Sequence, residues 1–127
     1  MASVTYVNSQ SSTGTCTATA AAASGVTWNL TSLSVSMAGP TSGLNAKLTI
    51  YDGAVGGTVL FAVFLNGPGA VGTGIGSVGT IQEIPLPKNA VGQPGVQANT
   101  GNAMNIQVIG TGADQVSINA RFTDGLP

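Results

Sequence analysis

Apolar side chains return at every second position along much of this chain, and a period of two marks strands with one buried face. Leu44, Ala46, Leu48 and Ile50 share one parity, as do Val59, Phe61, Val63 and Leu65. The pattern recurs at Met104, Ile106 and Val108, and again at Val116, Ile118, Ala120 and Phe122. Thr5, Thr17, Thr27 and Ser34 fill alternate sites, where a solvent-facing strand residue is wanted. Nothing reads as a helix longer than one turn. The Ala-rich run at 18–23 is too short for an isolated helix and continues an alternating stretch, so extended chain is expected there.

One segment changes phase. Val26, Trp28 and Leu30 share one parity, whereas Leu33, Val35 and Met37 share the other. Such a one-residue slip turns the buried face outward. A bulge near Thr31-Ser32, or a bend carrying the strand between two sheets, restores it.

Turn residues punctuate the runs. Asp52-Gly53 and Gly56-Gly57 bracket a short connection, Asn66-Gly67 and Gly39-Pro40 mark others, and 110–114 reads as a hairpin joining the last two strands. Pro85, Pro87 and Pro94 confine their segment to a sheet edge or a crossing loop. Roughly seven to nine short strands at this spacing predict an all-β fold, a single antiparallel β-sandwich of jelly-roll or immunoglobulin-like type. The domain is expected to span 1–127, with 1–12 as an extended N-terminal arm and 66–79 as a Gly-rich surface loop.

Charge narrows the partners. Only 6% of the 127 residues are charged, against about 25% in a typical soluble protein. The three cations, Lys47, Lys88 and Arg121, stand far apart in the chain. Nucleic-acid binding needs clustered cations to neutralise phosphates, and a membrane-surface helix needs a basic face. Neither is expected, nor is a membrane span, since no apolar run approaches eighteen residues. The N-terminal stretch lacks a basic region ahead of an apolar core, so no cleaved signal is predicted. A neutral, small-residue surface suits a protein packed against neighbours.

The equipment for catalysis is thin. There is no histidine and one cysteine, which removes the commonest base, metal ligand and nucleophile pairs. Cys16 reads as a small buried thiol. The Asn29-Leu30-Thr31 sequon matters only on a eukaryotic secretory route. Gly74, Gly76 and Gly79 match G-x-G-x-x-G, but the strand-like run into Pro85 replaces the helix that a dinucleotide site requires. Asp52 and Asp114 sit in glycine-flanked turns, where Asp braces backbone, while Glu83 and Asp124 complete the four carboxylates. No catalytic, cofactor-binding or metal-binding residues are assigned. Trp28, Phe61 and Phe122 share parity with aliphatic residues and are expected in the core. Tyr51 and Phe64 fall off parity and, with Tyr6 and Asn66, are the predicted partner-contact residues.

The segment Leu48-Thr49-Ile50-Tyr51-Asp52-Gly53, followed by Gly56-Gly57-Thr58-Val59-Leu60-Phe61, resembles the small β-sandwich structural proteins of tailed bacteriophage virions, especially capsid decoration or cement proteins. Ile84-Pro85-Leu86-Pro87, Gly95-Val96-Gln97 and the strands at 104–122 continue the resemblance, which covers about 44–122. It implies a non-enzymatic homo-oligomer, often a trimer, on the capsid surface of a virion assembled in the host cytoplasm. Its partner would be the major capsid protein, whose adjacent subunits it clamps. An alternative is a receptor- or glycan-binding module of a phage tail fibre, using loop residues such as Tyr51, Asn66, Asn89 and Asn99. A third is another assembling shell or tail subunit. The 1–12 arm is expected to add a strand to a neighbour's sheet.

Overall fold

A computed structural model describes residues 4–11, 14–38, 46–65, 80–88, 92–110 and 115–125. Among them run nine strands: β1 (Val4–Ser11), β2 (Thr15–Ala20), β3 (Trp28–Ala38), β4 (Ala46–Asp52), β5 (Thr58–Leu65), β6 (Thr80–Glu83), β7 (Val96–Gln97), β8 (Met104–Ile109) and β9 (Gln115–Asp124). They form two antiparallel sheets. The first has the order β1-β9-β3-β6, with the two-residue β7 also on β3, and the second has the order β2-β8-β4-β5. The all-β sandwich read from the alternation is what the chain adopts. An immunoglobulin sandwich would place its first two strands in one sheet. Here β1 and β2 lie in opposite sheets, and the first and last strands are neighbours. That is the winding of a jelly roll.

The core follows the parity of the sequence. Ala46, Leu48 and Ile50 from β4, Met104, Ile106 and Val108 from β8, and Val116, Ile118, Ala120 and Phe122 from β9 are all buried between the sheets. Trp28 meets Phe122 edge to face, with ring centroids 6.2 Å apart, and its Nε1 donates to the Ala21 carbonyl at 2.8 Å. An indole can be buried only where its N–H finds such an acceptor.

The phase slip in β3 is a bulge. The register against β9 jumps between Leu30 and Ser32, leaving Thr31 as the extra residue. Trp28 and Leu30 before it, and Leu33, Val35 and Met37 after it, all reach the core. The strand stays in one sheet throughout.

Three local expectations are corrected. The last two strands are not a hairpin pair, because β8 and β9 belong to different sheets; 111–114 themselves lie outside the described residues. Val59 is 54% exposed, because a second register shift between Ile50 and Tyr51 inserts Leu60 into β5 and turns Val59 outward. Thr5 pairs with Phe122 on the inner side of β1 and does not face solvent-ward with Tyr6.

Of the stretch 1–12 expected as an arm, Val4–Ser11 is extended along β9 in the chain's own sheet. The remaining positions of that stretch, and the Gly-rich stretch 66–79, lie outside the described residues. The proline-bearing segment sits at a sheet edge as expected. It runs on from edge strand β6, with Lys88 bridging Pro94 and the Gly95 amide donating to the Pro87 carbonyl at 2.8 Å. No helix of the described residues is long and apolar enough to cross a membrane.

Candidate functional site

The predicted contact residues separate onto two outward faces. Phe64 (70% exposed) and the half-buried Tyr51 belong to the outer face of the β2-β8-β4-β5 sheet. Tyr6 (76% exposed) belongs to the outer face of the other sheet. Asn66 lies outside the described residues, as do Asp114, Asn89 and the glycines Gly74, Gly76 and Gly79.

On the first face, strand pairing sets up three cross-strand rows. These are Thr15-Ile109-Lys47-Phe64, Thr17-Gln107-Thr49-Ala62 and Thr19-Asn105-Tyr51-Val59. Lys47 is the only charge among them. Ile109, Phe64 and Val59 are each about half exposed or more. The face ends in β5, whose sequence Thr-Val-Leu-Phe-Ala-Val-Phe-Leu contains neither charge nor proline. No described strand pairs with its outer edge. Natural sheets normally guard such an edge with charge, proline or a covering segment, because it offers a row of free backbone groups to another chain.

Other edges differ. β1 and β2 are also uncharged, but Ser9 Oγ donates to the Thr17 carbonyl at 2.7 Å and ties the two strands together. β6 carries Glu83.

The second face holds a groove of about 530 Å³. Its floor is two cross-strand rows, Asn8-Asn119-Ser34-Glu83 and Tyr6-Arg121-Ser32. One wall is built by Ile84, Pro85, Leu86 and Pro94. Asn8 Nδ2 donates to Asn119 Oδ1, which orients both amides. Arg121 Nη1 donates to Thr31 Oγ1 at 2.8 Å, so the bulge residue of β3 also steers the one guanidinium. These residues were not singled out as a set in the sequence. Each is ordinary alone, and only strand order brings them together.

Asp52 is spoken for. Its carboxylate accepts from the Asn99 backbone N–H (3.2 Å), Asn99 Nδ2 (2.6 Å) and Asn102 Nδ2 (3.0 Å). It therefore clamps the β4–β5 turn to the loop before β8, and Gly53, at φ 87°, adds a bond from its amide to the Ala103 carbonyl. Asp124 accepts from the Thr27 amide at 3.0 Å. Both carboxylates stabilise turns. Cys16 is buried, with its thiol against Ser9 Oγ at 3.5 Å. Asn29 of the sequon is buried within β3 and out of reach of modification in the folded chain. Among the described residues, no three Cys, Asp or Glu side chains converge as a metal site would need.

No family model, curated protein or solved structure matches the chain.

Proposed function

We propose that the chain is a non-enzymatic structural protein of a phage virion, a capsid decoration protein that docks on major capsid subunits and stabilises the head. The observation that carries this reading is the β5 edge, which has neither charge nor proline and no strand paired to it among the described residues, continuous with a sheet face whose described cross-strand rows bear only Lys47. An edge of this kind is a hazard for a solitary protein and an asset for one whose partner completes it. Backbone pairing along β5 would supply affinity, while Phe64 and Val59 would fill apolar sites on the partner. The resemblance of 44–122 to decoration proteins supports the viral setting and a homo-oligomer, with the trimer favoured. Jelly rolls occur in viral coats and also in lectins, so the winding by itself supports neither use over the other.

The loop residues offered for a tail-fibre glycan site lend that alternative little. Asn99 spends its amide on Asp52, and Tyr51 is half buried among Asn105 and Val59. The test is to add the purified chain to particles of the same virus that lack it. Saturable binding with a raised rupture temperature is expected. Particles that ignore the chain, or bind it without any gain in heat resistance, would contradict the proposal.

A further inference from the structure

We propose that the groove on the outer face of the β1-β9-β3-β6 sheet binds a neutral oligosaccharide. This goes beyond the docking role, because the groove lies on the sheet face opposite to Phe64 and β5. Its volume of about 530 Å³ is within the range of small-ligand sites, about 300–1,000 Å³. The floor crosses four strands, about 14 Å at the usual strand spacing, which makes it an elongated trough.

Its chemistry selects among ligands. Arg121 and Glu83 are the only charges of the lining, one of each sign, so nothing favours an anion or a cation. An apolar ligand would strand the amides and hydroxyls of Asn8, Asn119, Ser32 and Ser34, at the cost of unmade hydrogen bonds. A peptide taken up by strand addition needs a free edge, and this trough crosses the face of paired strands. What remains is a ligand with many hydroxyls and no net charge.

The donors and acceptors match that description. Planar guanidinium and carboxylate groups each present two polar atoms to a pair of adjacent hydroxyls, and an amide N–H adds a single donor beside them. Asn8 donates to Asn119 Oδ1 and accepts from Gln10 Nε2 at 3.4 Å, so its amide is already held, while Asn119 Nδ2 and the Glu83 carboxylate make no hydrogen bond among the described residues. Tyr6, 76% exposed at the end of its row, offers a ring face for the apolar face of a sugar and a hydroxyl beside it. Arg121 is already held by Thr31, so little side-chain freedom is lost on binding.

Titration calorimetry of the full chain with maltotriose, cellotriose and chitotriose, and with trigalacturonate as the charged control, tests this. At least one neutral trisaccharide should bind, and more tightly than trigalacturonate. Tyr6→Ala and Asn119→Ala, both at exposed positions, should each weaken it about tenfold, equivalent to about 1.4 kcal/mol. Phe64→Lys on the opposite face should leave it unchanged. The proposal is overturned if no neutral sugar binds, if trigalacturonate binds best, or if both groove variants bind like the parent. Particle binding is a separate readout, and none of these outcomes decides it.

Discussion

Thr31 and Arg121 hold each other through a reciprocal pair of hydrogen bonds. Arg121 Nη1 donates to Thr31 Oγ1 at 2.8 Å, and that hydroxyl donates to the Arg121 carbonyl at 3.1 Å. Thr31 is also the residue that the β3 bulge inserts, so one position corrects the strand's phase and aims the guanidinium. Thr31→Val keeps the branched shape and removes both bonds. It should lower stability by about 1–2 kcal/mol, read as a lower urea midpoint with an unchanged slope.

Asn29 is fully buried on the face of β3 opposite Leu30, in register with Thr123 and Gln97. Neither its Nδ2 nor its Oδ1 has a hydrogen-bond partner among the described residues. A buried amide left unpaired costs about 1–3 kcal/mol, and an apolar group of the same shape removes that cost. Asn29→Leu should therefore raise the melting temperature. A lower one would mean that the amide has a partner.

The Asp52 clamp predicts a purely structural phenotype. Asp52→Ala removes three hydrogen bonds, two of them from side-chain amides, and should cost about 2–4 kcal/mol. Asp52→Asn should lose less, because one amide oxygen still accepts. Chemical denaturation of the two variants measures the order.

Cys16 should be silent in the native protein. Its side chain is 3% exposed, so a thiol reagent should label it only at the rate of unfolding. Prompt labelling without denaturant would place the thiol at the surface.

Much of the fold was legible, for a physical reason. β4, β8 and β9 carry most of their apolar side chains on one face, with polar residues such as Thr49, Asn105 and Thr123 on the other, so their parity encodes the core, and the break at Thr31 could be read as a bulge. β5 was not legible in the same way. Its Thr58–Leu65 run is apolar on both faces, so parity cannot say where Leu60 is inserted. Glycine-rich turn chemistry is the same for a hairpin and for a link between sheets, so the residues at 110–114 cannot tell whether β8 and β9 share a sheet. Sheet membership is a long-range property.

The exposure of Phe64 followed from its parity. The groove did not follow from anything local, because Asn8 and Asn119 are 111 positions apart and meet only through the pairing of the first and last strands.

The docking claim is tested most directly by co-sedimenting the chain and its Phe64→Lys variant with particles of the same virus stripped of it. Phe64 is 70% exposed, so the substitution should change stability by no more than about 0.5 kcal/mol. The account predicts that the parent chain saturates at a fixed copy number per particle and that the equally stable variant stays in the supernatant. A variant that sediments as fully as the parent, or a parent that never sediments, would contradict it.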